Sequence, residues 1–89
     1  MNSQTIPQFW QLYYQLPKDI RRRAVKAYHI WREHPHLPGL QFKLVGKRRP
    51  VYSVRITDSY RALGLLEDRT IYWFWIGAHD EYERLIRSV

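Results

Sequence analysis

The 89 residues leave room for one domain, 1–89, with a modest core, because folding at this size hides only about 60–65% of the surface an unfolded chain exposes. The absence of cysteine removes disulfides, cysteine-held zinc and thiol catalysis, and fits a reducing, cytoplasmic setting. Fifteen Lys and Arg against eight Asp and Glu give a net charge of +7, and eleven of the fifteen are Arg. The guanidinium fork pairs with phosphate and stacks on bases, so this balance favours a polyanion partner over solubility alone, with an acidic protein partner as the alternative.

In chain order, "MNSQTIPQFW" has neither a basic n-region nor an apolar h-region, so no secretory signal is expected. No apolar run approaches the ~20 residues of a membrane span. "TIPQFWQLYYQL" places Ile6, Phe9, Trp10, Tyr13 and Leu16 at helical spacing, with Pro7 tolerable in a first turn. Pro17 opens a second predicted helix, in which Ile20, Ala24, Ala27, Tyr28 and Trp31 form one apolar stripe. The short connection predicts a helical hairpin, and "HPHLPG" ends it.

The hydrophobic period then changes. "LQFKLV" alternates as a half-buried strand, "GKRRP" is a turn, and "VYSVRIT" is a second strand. The two residues "DS" make a hairpin to "YRALGLLE", and "DR" leads to "TIYWFWIG". That last run is apolar throughout, which predicts an interior strand covered on both faces. "AHDEYERLIRSV" reads as a short C-terminal helix with Asp80 as its N-cap. The expected fold is α+β: two helices packed on a four-stranded, mainly antiparallel sheet, then a short helix, in the order ααββββα.

Arg55 and Arg61 stand out inside this sheet. Alternation puts Val51, Ser53, Arg55 and Thr57 on one face and turns Tyr52, Val54 and Ile56 toward the helices. With only "DS" between the strands, Arg55 and Arg61 lie near one hairpin end and reach a common point if both face away from the helices. The plain alternative is that each pairs with Asp58, Glu67, Asp68 or Asp80, an exposed ion pair contributing about 0–1 kcal/mol. Two converging arginines, expected beside Lys47, Arg48 and Arg49 and a terminal His and Tyr, favour a phosphate site on the open sheet face.

The hairpin Tyr52-Ser53-x-Arg55-Ile56-Thr57-Asp58-Ser59-Tyr60-Arg61 resembles the W/Y-S-x-R-I-x-x-x-x-R pattern of the RelE and YoeB-like branch of the RelE/ParE superfamily of bacterial type II toxins. A hydrophobic strand and an H-x-x-Y ending, here His79 and Tyr82, follow it. The resemblance spans nearly the whole chain and implies the RelE-like fold. It also implies a toxin that enters the ribosomal A site and cuts mRNA there without metal or cofactor, leaving a 2′,3′-cyclic phosphate and a 5′-hydroxyl. Carried over by position, Arg61 stabilises the transition-state phosphate, Arg55 is a second phosphate contact, and His79 or Tyr82 transfers a proton or stacks on a base. A histidine suits that task, because its ordinary pKa near ~6.5 lets it exchange protons around neutrality. The partners implied are a cognate antitoxin, mRNA and the ribosome.

Two departures stand out. YoeB-like members carry a Glu before the second strand as general base, whereas this chain has no carboxylate between Leu40 and Thr57. The paired strand lysines of RelE itself are also missing, Ser53 and Val54 standing in that stretch. The ParE branch, which shares the fold and poisons DNA gyrase without nuclease chemistry, therefore stays open, as does a non-catalytic RNA- or protein-binding module.

The remaining signals are weaker. His29, His34 and His36 are close in sequence, but with no Cys and no placed carboxylate they are not expected to hold a metal. Arg21, Arg22 and Arg23 wind around a helix, as solvated surface or RNA-backbone contacts. Lys47, Arg48 and Arg49 at a hairpin tip, with Lys43 nearby on its strand, are expected RNA contacts. Gly64 is expected to permit close packing or a bulge.

Overall fold

The computed structural model describes all 89 residues. A short edge strand, β1 (Asn2–Thr5), comes first, followed by α1 (Pro7–Tyr13) and α2 (Lys18–Glu33). Pro7 opens α1, where its missing N–H would have no helical partner and its fixed φ suits the first turn. Along α2, Ile20, Ala24, Ala27 and Trp31 are buried at spacings of four, three and four, and His34 ends the helix because Pro35 disfavours a helical residue before it.

The sheet follows as β2 (Lys43–Leu44), β3 (Val51–Thr57), β4 (Tyr60–Glu67) and β5 (Thr70–Ala78), and α3 (His79–Ile86) closes the chain. The strand order is β1-β5-β4-β3-β2, antiparallel except where β1 runs parallel to β5. The α+β class and the helical hairpin stand as expected, but the sheet has five strands, not four. β1 is polar, "NSQT", and owes its existence to the edge that β5 offers, with Asn2 opposite Thr70 and Thr5 opposite Trp73. A hydroxyl–hydroxyl hydrogen bond of 2.7 Å between Ser3 and Tyr28 ties it to α2.

β2 is shorter than its alternation predicts. Pro38–Leu40 form a 3-10 turn and Gln41 takes a left-handed φ of 46°, so Leu40 turns inward while Leu44 faces solvent. Asp80 is not the N-cap of α3; Ala78 holds that position, and Asp80 with Glu81 sits in the first turn, where negative charge suits the helix dipole.

Both faces of the sheet are covered. Beneath α1 and α2, Trp31, Val54, Ala62, Ile71, Trp73 and Ile76 anchor the larger core, and Tyr52 and Ile56 pack against it as alternation predicts. On the other face, expected to be open, α3 folds back so that Tyr82 joins Val51, Leu63 and Trp75 in a second, smaller core. β5 is the interior strand its composition predicts, and the bulge that interrupts its pairing with β4 lets Trp73 face one core and Trp75 the other. Gly64 sits at that bulge, where a Cβ would come within 2.4 Å of Ile71 and 2.8 Å of the Trp73 ring, so only glycine fits. No helix is long and apolar enough to cross a membrane.

Candidate active site

The β3–β4 hairpin does most of the positioning. Asp58 and Ser59 form its two-residue tip, and the Ser59 N–H donates to Thr57 Oγ1 at 3.1 Å, which steadies the turn. Arg55 and Arg61 are direct cross-strand partners. Arg61 shares its face with Leu63 and Leu65, which pack on the α3 side, so both arginines face away from α1 and α2. Like charges directly opposite on neighbouring strands are destabilising, and such a pair persists only with compensation.

The compensation is visible for each arginine. The Arg55 Nη2 donates to the exposed Asp58 carboxylate in an ion pair, so the plain pairing alternative holds for this residue. Arg61 pairs with no carboxylate. Its Nη1 donates to the backbone oxygens of Thr57 at 2.5 Å and Tyr60 at 3.0 Å, and its guanidinium carbon lies 5.9 Å from the centre of the Tyr82 ring. One edge of the guanidinium is thus fixed by the turn, and the other is left to meet an anion.

α3 brings the remaining residues. The His79 backbone N–H donates to Ser59 O at 2.8 Å, pinning the start of the helix to the hairpin tip. Asp58, Ser59, Tyr60, Ala78, His79 and Asp80 then line a cleft of about 330 Å³. The His79 ring is part-exposed, with Nε2 3.3 Å from Glu83 Oε1 one helical turn on. The Asp58 carboxyl is held below its ordinary pKa by the hydrogen bond from Arg55 and then its charge, against an opposing cost of desolvation, with weaker help from the charges of Arg61 and Arg23. The other large hollow, about 290 Å³ beneath α1 and α2, has no Lys, Arg, Asp or Glu in its wall and offers nothing to a phosphate.

Tyr82 sits differently from the sequence expectation. It is only 4% exposed, and its hydroxyl donates to Ser53 Oγ at 3.1 Å. This geometry makes it a support beneath Arg61 and leaves its hydroxyl unsuited to moving substrate protons. The Lys47–Arg49 turn is not beside Arg55 and Arg61 either, because successive hairpins lie at opposite ends of their shared strand. Val51 at one end of β3 and Arg55 near the other are separated by roughly 13 Å at the usual strand rise. Lys43 is exposed on the edge strand opposite Ser53, and Arg21 and Arg22 lie along α2, outside the cleft. No three His, Asp or Glu side chains are grouped to hold a metal ion.

Sequence reasoning offers Asp58 as a partner of the arginines and Ser53 on their face, but misses Ser53 as the acceptor for Tyr82 and the weak charge of Arg23 on Asp58. The reach of Arg23 from α2 had no signal in the chain order.

The model of the ParE-like toxin domain matches residues 18–84. No curated protein sequence matches the chain significantly. Among solved structures, the YoeB dimer from Staphylococcus aureus is similar at a TM-score of 0.67 and 19% identity, covering 89% of this chain and 97% of that one. The RelE–RelB complex from Pyrococcus horikoshii is similar at 0.63 and 24% identity, covering 86% and 92%. The RelBE2 toxin–antitoxin complex from Mycobacterium tuberculosis is similar at 0.62 and 19%, covering 88% and 96%. These likenesses bear out the RelE-like fold.

Proposed function

This chain belongs to the ParE-like toxin domain family of type II toxin–antitoxin systems, and from that premise we propose that it is a ribosome-dependent endoribonuclease that cuts mRNA in the A site. The observation that carries this reading is the Arg55–Arg61 pair, two arginines directly opposed across a hairpin whose tip, Asp58 to Tyr60, lines a polar cleft. A scissile phosphate seated there would meet the free edge of Arg61, with Arg55 as second contact. As the 2′-hydroxyl attacks phosphorus and the 5′-oxygen leaves, negative charge builds on the phosphoryl oxygens, where a pre-fixed guanidinium stabilises it most. Charge stabilisation by the arginines gives this reading no need of a metal.

Two protons must move, one off the 2′-hydroxyl and one onto the 5′-oxygen. His79 lines the cleft and suits that traffic. Asp58, held ionised by Arg55, is a poor base at neutral pH, which leaves Asp80 as the cleft's other carboxylate. Lys43, Lys47, Arg48, Arg49, Arg21 and Arg22 supply exposed or part-exposed positive charge for RNA backbone. The reading places the protein in the cytoplasm, with a cognate antitoxin as partner; the P. horikoshii and M. tuberculosis neighbours are themselves toxin–antitoxin complexes.

The test is 5′-end mapping of mRNA in a reconstituted translation reaction, with the protein and with Arg61→Ala. New ends at A-site codons that need ribosomes and vanish with Arg61→Ala are expected. A second reading, gyrase inhibition without chemistry, is favoured by the ParE-like family match. Folded, toxic protein that makes no new ends and blocks supercoiling would replace the first reading with the second.

A further inference from the structure

The first helix carries a pattern that neither core uses. No charged side chain occurs before Lys18, although the chain as a whole carries +7. The outer side of α1 instead presents Trp10 and Tyr14, 42% and 66% exposed, beside the exposed amides of Gln8, Gln11 and Gln15. Two large rings side by side on one exposed helix face mark a contact surface, unlike apolar residues scattered singly.

The rings are held in place. Trp10 Nε1 donates to Thr5 Oγ1 at 2.8 Å, so the only polar group of the indole is satisfied within the protein. Phe9 and Tyr13 each meet this ring edge-on, with centroids 5.2 Å away. Tyr14 follows one turn on, its ring centre 6.3 Å from that of Trp10 and its plane tilted by 35°. The protein's own cations stack elsewhere, Arg32 on Tyr28 and Arg61 on Tyr82.

Positive charge runs along the margin of this face. Trp10 and Val25 line the same hollow, which fixes the side of α2 that meets α1. Lys18, Arg21 and Arg22 stand seven, four and three residues before Val25 and therefore share that side. Asp19, six residues before it, falls on another. Uncharged rings and amides bordered by cations match a strand whose bases stack while its phosphates meet the cations. A duplex hides its base faces, and an acidic peptide offers little to free ring faces, so unstacked bases fit best.

We propose that the outer side of α1, with the adjoining first turns of α2, is a binding surface for single-stranded RNA, separate from the cleft. Trp10 and Tyr14 stack on bases, and Lys18, Arg21 and Arg22 take the flanking phosphates. That the strand is RNA rests on the RNA-cleaving reading above; the surface itself rests on the exposed rings and the charge beside them. It belongs to the sheet face under α1 and α2, whereas Arg55 and Arg61 face away from those helices.

The experiment is fluorescence anisotropy of an end-labelled single-stranded RNA of about 12 nucleotides with the full-length protein, without ribosomes, over a salt series. Trp10→Ala/Tyr14→Ala should weaken binding about 30-fold or more and leave the salt slope unchanged. Tyr14→Ala alone, at the more exposed position, should weaken it about fivefold or more, which keeps the test open if the double variant unfolds in urea too early. Lys18→Gln/Arg21→Gln/Arg22→Gln should lower the slope of log affinity against log salt by about 2. Arg61→Ala should bind as wild type. Affinity that ignores Tyr14→Ala, a slope that ignores the charge variant, or a duplex of the same sequence that binds as tightly would each overturn the surface. RNA binding that ignores the rings, beside a Glu-rich amphipathic peptide that needs them, would assign the face to an acidic protein instead. The result is separable from A-site cleavage: ring-independent binding beside intact cleavage removes only this surface, and ring-dependent binding beside absent cleavage removes only the nuclease.

Discussion

The two faces of the sheet are made of different materials. Under α1 and α2, Trp31 and Trp73 pack edge to face with centroids 5.2 Å apart, and both indole N–H groups are buried without a partner. Under α3, the core has only four buried members, and its polar neighbours are paired: Tyr82 with Ser53, Arg61 with the turn carbonyls, Arg55 with Asp58. The first face tolerates unsatisfied donors because apolar burial outweighs them; the second spends its geometry on fixing charge. Stability should therefore depend mainly on one face and chemistry on the other.

The largest effect that tests this division is Trp31→Ala. Emptying the centre of the larger core should cost about 3–5 kcal/mol, against the 5–15 kcal/mol total typical of a domain. Urea denaturation should show the loss, while cleavage per folded molecule stays near wild type. A folded Trp31→Ala protein that no longer cleaves would break the comparison.

Arg61→Ala is the mirror experiment. Removing one preorganised charge from a developing oxyanion should slow cleavage about 10²–10³-fold, equivalent to about 3–4 kcal/mol of transition-state stabilisation. The denaturation midpoint should barely move, because relief of the like-charge opposition with Arg55 offsets the lost turn bonds. Arg61→Lys should recover little, since a point charge lacks the second edge of the fork.

What the sequence made legible follows from the range of the interactions involved. The apolar stripe of α2, the two-residue "DS" turn and the facing of Arg55 and Arg61 are local or nearest-strand properties, and periodicity carries them. β1 was illegible because four polar residues become a strand only when β5 offers an edge. The burial of Tyr82 was illegible because nothing in H-x-x-Y says that α3 folds back across the sheet. The Lys47–Arg49 hairpin tip is expected beside the arginines, but strand direction puts it at the other end of β3.

Tyr82→Phe sharpens the comparison at smaller amplitude. The change keeps the ring under Arg61 and removes the hydroxyl that serves Ser53, so stability should fall by about 1–2 kcal/mol. Cleavage should stay within a few-fold of wild type. A loss of about 10²–10⁴-fold in Tyr82→Phe would instead identify the phenol as a proton-transfer group and move it from support to chemistry. Tyr82→Ala, which also takes the ring, should reduce cleavage further than Tyr82→Phe by loosening Arg61.

The smallest effect belongs to Asp58 and concerns only the charged rim. Its carboxyl titrates below the ordinary value of 3.8 because Arg55 stabilises the ionised form. A depressed pKa in the folded state means that the pair's contribution is complete above 3.8 and is lost as pH falls through the lowered value, so stability between pH 5 and 8 owes no slope to it. Carbonyl-detected NMR titration should place the Asp58 midpoint below 3.8 in the wild type and return it toward 3.8 in Arg55→Gln. Added salt should push the wild-type midpoint the same way, because the pair lies at the surface, where counterions screen it. An Asp58 midpoint that ignores both Arg55→Gln and salt would mean that Arg55 is already free to meet phosphate, and that the rim is more open than the Arg55–Asp58 pairing implies.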